Sequence, residues 1–117
     1  MTRRITLSEY HDELLAQGVR DIEDVAVVCP ACRTPQSLRS FLRAGVERAQ
    51  AQRLLGFSCV GTAIFAPCRF AISGQPHPNV LVVDMPDGAV RRTFPPARRQ
   101  EAQDLAEAGG LLKAWLT

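Results

Sequence analysis

Lysine is almost missing from this chain: Lys113 is the single one among 14 basic residues, and arginine supplies the rest. Histidine is nearly as scarce, with only His11 and His77. An enzyme needs a base, a nucleophile or an open metal position. No grouping of His with carboxylates is visible along the sequence, so catalysis is not expected. Long apolar runs are missing as well. The longest, around Phe57 to Pro67, is too short and too broken to cross a membrane, which takes about 20 apolar residues. No apolar, basic-flanked leader opens the chain. Export to an oxidising compartment is therefore not expected, and a cytoplasmic location is. Internal repeats and low-complexity stretches are also lacking.

Against these absences stand four cysteines, Cys29, Cys32, Cys59 and Cys68. Four thiolates are what a closed tetrahedral zinc site needs, and a structural Zn2+ on these four is the expectation. Cys29-Pro30-Ala31-Cys32 brings two sulfurs to one ion from one tight turn. Pro30 presets the backbone, and the turn's N–H groups can point at the sulfurs and stabilise their charge. A thioredoxin-like redox pair is the sharpest rival, but no helix is expected straight after Cys32, and two cysteines would be left over. A disulfide framework is the other alternative. Cys59 and Cys68 are separated by eight intervening residues that include Gly61 and Pro67, enough for a loop returning to the ion. His77, in a Pro-rich loop, could replace Cys68 as fourth ligand. His11 reads as a surface residue.

The 117 residues are expected to form one α+β domain, 1–117, with a four-cysteine zinc knuckle, short antiparallel strands including a hairpin, and flanking helices. Thr6 and Glu9 have capping-box spacing, and Leu7, Tyr10, Leu14 and Leu15 make one apolar face ending near Gly18. Val25 to Val28 reads as a buried strand delivering Cys29. Thr34-Pro35 then reads as a helix N-cap followed by proline at the first turn. Leu38, Phe41 and Leu42 face inward, Gly45 interrupts, and the helix resumes through Val46, Ala49 and Leu54-Leu55 to Gly56. Phe57 to Val60 and Cys68 to Ile72 read as strands flanking the second ligand loop. Ser73 to Asn79 is a Pro-rich turn. Val80 to Asp84 and Ala89 to Phe94 form a hairpin through Asp87-Gly88. Ala97 to Trp115 closes the chain as a helix packing through Ala102, Leu105, Ala106, Leu112 and Trp115.

Charge comes in blocks beneath a net +2. Residues 1–28 hold six acids and three arginines, whereas 29–57 hold five arginines and only Glu47. Arg39 and Arg43 are expected on the outer face of a helix anchored beside the metal turn. A solvated helix surface is their default reading. A nucleic-acid face would need aromatic or amide residues among them, and the acidic ends weaken the case further. Generic DNA binding is expected to be weak or nil.

From Val27 to about Ala106 the chain resembles a family of small four-cysteine, zinc-binding proteins of bacteriophages, prophages and proteobacterial genomes. The resemblance rests on Cys29-Pro30-Ala31-Cys32, Thr34-Pro35-Gln36-Ser37, Gly56-Phe57-Ser58-Cys59-Val60-Gly61, Pro67-Cys68-Arg69-Phe70, Asp87-Gly88 and Phe94-Pro95-Pro96-Ala97. The family usually has glycine where this chain has Arg33. It also tends to carry a tryptophan and a glycine pair after the position of Cys68. The resemblance implies a mobile-element origin and no particular activity. The expected function is a zinc-stapled protein-binding module that occupies the surface of a host protein or protein complex, such as a CRISPR-type defence complex that it would inhibit. Arg39, Arg43, Arg91 and Arg92 are the candidate contacts. The alternative is a zinc-knuckle nucleic-acid-binding protein.

Overall fold

The computed structural model describes residues 3–64, 67–72 and 77–110. Its centre is a pair of short antiparallel strands, β2 (Ala26–Val28) and β3 (Pro35–Ser37), joined by the cysteine turn. All three β2 residues are buried, as a continuous apolar strand requires. Its second edge is satisfied by the segment that leads into the last helix. Val28 N–H donates to Pro95 C=O at 2.8 Å, and Ala97 N–H donates to Ala26 C=O at 3.0 Å. Where that pairing ends, the buried Gln17 amide takes over. Its Oε1 accepts from Ala26 N–H at 2.8 Å, and its Nε2 donates to the carbonyls of Ala26 and Ala97 at 2.7 and 3.1 Å. A backbone group left dry and unpaired here would cost about 1–3 kcal/mol.

A second sheet has the order β1-β4-β5, with β1 at Arg4–Thr6, β4 at Leu81–Asp84 and β5 at Val90–Thr93. The β4–β5 hairpin is the antiparallel one read from Asp87-Gly88. The first strand is an addition: β1 runs parallel to β4, so the sheet is mixed rather than wholly antiparallel. It leads straight into α1 (Leu7–Leu15), which carries the capping box of Thr6 and Glu9. Leu14 reaches the core, but Leu15 stays 79% exposed because no described element covers that side of α1.

The largest departure from the sequence reading lies after Cys32. Thr34-Pro35 does not cap a helix. Thr34 C=O accepts from Cys29 N–H at 3.1 Å, and Pro35 starts β3, a position where its missing N–H is tolerated. The metal turn must fold back along β2, and that return uses up the residues the cap would have needed. Ser37 takes over as N-cap of α2 (Leu38–Arg43), in a reciprocal arrangement with Ser40. After Gly45 comes α3 (Arg48–Leu54), with Ala49 exposed rather than packed. The flanking segments Phe57 to Val60 and Cys68 to Ile72 are not strands. They meet at one antiparallel bridge, Ser58 with Ala71, followed by a 3₁₀ turn at Val60–Thr62. The last helix, α4 (Arg99–Glu107), is shorter than the apolar spacing suggested. Ala102 and Leu105 pack against Ala26 and Val28, while Leu112, Trp115 and the turn residues 73–76 lie outside the described residues. No described helix is long and apolar enough to cross a membrane.

The α4 terminus docks on α2 through Gly110, whose φ is +97°. Ser40 Oγ donates to Gly110 C=O, and a Cβ at Gly110 would sit 2.9 Å from Ser40 N and 3.0 Å from Arg39 C. Gly110→Ala should therefore destabilise the protein by about 2–4 kcal/mol, combining overpacking against backbone with a left-handed conformation. Gly88→Ala, with φ +88° and open space around it, should cost only the backbone share, about 1–2 kcal/mol. Urea unfolding midpoints with unchanged slopes check both.

Candidate metal centre

The four cysteines read from the sequence meet at one point. Cys29 leaves the buried end of β2, and Cys32 follows on the return turn. Cys59 and Cys68 come from the two ends of the loop closed by the Ser58–Ala71 bridge, where Cys59 N–H donates to Phe70 C=O at 2.8 Å. All four sulfurs lie within 4.8 Å of one another. Cys29 and Cys68 Sγ are 3.7 Å apart, and Cys32 and Cys59 Sγ are 3.8 Å apart. A zinc–sulfur bond of about 2.3 Å sets a tetrahedral edge of about 3.8 Å. A disulfide would need about 2.05 Å, and all four thiols are free. The donor set and its spacing therefore fit a four-coordinate thiophilic ion.

Local structure supplies hydrogen bonds to these sulfurs. Gly61 N–H donates to Cys59 Sγ at 3.4 Å, and the backbone at Phe70 and at Ala31 and Cys32 favours the ionised forms of Cys68 and Cys29. Cys32 Sγ lies 3.2 Å from the Thr34 hydroxyl, which donates once the sulfur is ionised. The electrostatics are uneven. Cys59 is held down to about 5, first by the Cys29 thiol and then by Gly61 N–H and the Gln36 amide. Cys29 is pushed up by its hydrogen bond to Cys59 and by burial, and burial raises Cys68 as well. Four like charges at this spacing cannot all ionise unaided, whereas a bound dication lets them do so with release of protons.

Gln36 is the residue the sequence reading missed. It is fully buried on β3, opposite Val27. Its Oε1 accepts from Val60 N–H at 2.8 Å, and its Nε2 donates to Cys59 Sγ at 3.6 Å. One amide thus ties the knuckle hairpin to the second ligand loop. Its only sequence signal is a polar residue one position before a helix cap. His77 is not drawn to the sulfurs. Its Nδ1 accepts from Asn79 N–H at 3.2 Å, and its ring packs edge-on against Phe70 at 5.2 Å. Asn79 in turn donates to Pro30 C=O at 3.3 Å, so this loop braces the knuckle from outside. Directly after the second cysteine, Arg33 adopts φ +63°, the one left-handed non-glycine among the described residues. Such a backbone costs an L-residue about 1–2 kcal/mol.

The family model described as VVA0879-like matches residues 6–97. The chain belongs to the VVA0879-like family. No curated protein and no solved structure matches it. In this VVA0879-like chain the matched stretch holds all four cysteines and ends where α4 is about to start.

The four candidate arginines do not share a surface. Arg39 does not project freely but folds back onto the acids around the 3₁₀ turn Ile22–Asp24. It reaches Asp24 at 2.7 Å, Asp21 at 3.1 Å and Glu23 at 3.5 Å, and Arg48 joins Glu23 at 2.6 Å. Arg43 is exposed beside Gly109. Arg91 and Arg92 are both exposed, but as successive strand residues they point to opposite faces of the hairpin.

Gln36→Leu should lower metal affinity about 10–100-fold, because it removes a hydrogen bond to one of the four sulfurs and orphans Val60 N–H. Competition with a chromogenic chelator measures it. Cys68→Ser should weaken binding more, and His77→Ala should leave it unchanged.

Proposed function

We propose that this protein is a zinc-stapled protein-binding module whose metal is structural and whose recognition is carried by exposed arginines. One observation carries the reading: four cysteine sulfurs converge on one point, with Cys29 and Cys59 buried in a hydrophobic cluster, Cys68 half-buried and Cys32 exposed. Zinc is the natural occupant, since a tetrahedral all-thiolate site suits it and four thiolates leave no open position for water or substrate. Val27 and Phe94 pack beside Cys29 and Cys59, with Leu14, Leu55 and Phe70 around them, which is the setting of a staple. Free thiols suit a reducing compartment, and the cytoplasm is the proposed setting.

In its specific form, the reading makes this a phage or prophage protein that occupies a host protein's surface, for instance on a CRISPR-type defence complex. Its support is the small size and the resemblance of the cysteine, hairpin and Phe94-Pro95-Pro96-Ala97 motifs to mobile-element proteins. Of the candidate contacts, Arg43, Arg91 and Arg92 are exposed, while Arg39 must leave its carboxylates before it can serve a partner. The pairing of Arg39 and Arg48 with Asp21, Glu23 and Asp24 also weakens the nucleic-acid alternative. It neutralises within the chain part of the positive block that phosphates would need.

Purified protein should contain one zinc per chain, and chelation should unfold it. Structural zinc contributes about 10–16 kcal/mol in small peptides, against a whole-domain stability of about 5–15 kcal/mol. Elemental analysis and circular dichroism during chelation check this, and a chain that stays folded without metal would overturn the staple. Generic duplex DNA should bind only weakly in a gel-shift at about 150 mM salt. Submicromolar affinity with a steep salt slope would put the nucleic-acid reading first.

A further inference from the structure

We propose that the groove between α1, the β4–β5 hairpin and the turn after α3 is the docking site for a partner peptide that presents one large apolar side chain next to a carboxylate. This rests on the protein-binding reading and gives it a surface. The groove measures about 190 Å³ and is lined by Tyr10, Leu55, Phe57, Val83, Met85 and Arg91, with Leu7 and Thr93 at its ends. A cavity of about 150 Å³ holds a benzene ring, so there is room for one leucine or aromatic side chain.

Its walls are fixed before any partner arrives. Phe57 N–H donates to Leu54 C=O at 2.9 Å, and Phe57 C=O accepts from Ile72 N–H at 2.8 Å. The neighbouring Gly56 C=O accepts from Phe94 N–H at 2.8 Å and from Thr93 Oγ1 at 3.1 Å. Phe57 is nevertheless 39% exposed on this fixed backbone. Tyr10 is half-buried on α1, which packs against β4. Rigid walls reduce the ordering cost of binding, and aromatic residues with arginine are the types that dominate interface energetics.

The charge selects the occupant. Arg91 is the only ionisable cation in the lining, and no acid lines the groove. Among the described residues Arg91 has no ion-pair partner. The nearest hairpin acid, Asp84, lies on the other sheet face and is taken by Arg4, with Nε to Oδ2 at 2.9 Å. A guanidinium at the rim of an apolar slot is complementary to a carboxylate beside an apolar anchor.

The test selects binders from a displayed library of random peptides against the zinc-loaded protein, then measures affinities of the enriched peptides by fluorescence polarisation. Enriched sequences should pair a leucine or aromatic residue with Asp or Glu. Arg91→Glu and Phe57→Ser should each weaken binding by about tenfold or more, with zinc content and melting temperature retained. Arg53→Glu, the same charge change on exposed α3, should stay within about twofold. If binding is lost with Arg43→Glu or Arg92→Glu while Arg91→Glu binds like wild type, protein binding stands and the groove is wrong. Enrichment of basic peptides, or of none, overturns the groove as well. A dimer that dissociates on Arg91→Glu in sedimentation would assign the groove to a second copy of the chain and overturn the peptide assignment.

Discussion

Four sulfurs held within 4.8 Å of one another are the constraint from which the rest of this fold can be derived. Thiolates at that spacing repel, so the arrangement requires either protons or a cation. The chain is built to present them all the same. One pair comes from a hairpin turn and the other from a loop clamped by a single bridge, and these two units share little regular pairing. Gln36 connects them directly, with one end on the Val60 amide and the other on the Cys59 sulfur. The hydrophobic cluster of Val27, Cys29, Cys59 and Phe94 includes two of the four cysteines, and Cys68 packs against it. An ion at the cluster would therefore join the knuckle hairpin to the second ligand loop.

That constraint also explains which parts of the fold were legible in the sequence. Cysteine spacing is a direct record of the ligands, and the Thr6–Glu9 capping box and the Asp87-Gly88 turn are local signals with local causes. All of these were readable. Thr34-Pro35 misled because its local chemistry favours a cap, while the metal turn two residues earlier imposes a return strand. Phe57 to Val60 and Cys68 to Ile72 have strand composition but are held by the ligand loop, which leaves room for one bridge. Gln17 and Gln36 could not be read at all. A buried glutamine is defined by the backbone groups it satisfies, and those lie up to 80 residues away in sequence.

The charge blocks behave similarly. Read along the chain, an acidic start and an arginine-rich middle suggest a surface of one sign offered to a partner. In the fold, Asp21, Glu23 and Asp24 turn towards Arg39 and Arg48, and the blocks cancel where they meet. These pairs are partly buried and form one network around Arg39 and Glu23. Their consequence is subtraction, because they leave the remaining arginines as isolated cations rather than a continuous field. Isolated cations recognise local geometry, a carboxylate at a given place, more readily than the periodic charge of a nucleic acid.

Arg33 shows what a core stapled by a metal would permit. A left-handed arginine costs about 1–2 kcal/mol, a large fraction of the margin of a small domain without cross-links. Beside an ion contributing about 10–16 kcal/mol the same cost is minor. The argument extends to the surface. A groove rim carrying an exposed phenylalanine, and an arginine with no ion-pair partner among the described residues, is a poor choice for a domain held only by packing. Such positions add solvation penalties and no stability. When stability comes from the sulfur cluster, the hairpin and the turn at Phe57 are released from that duty.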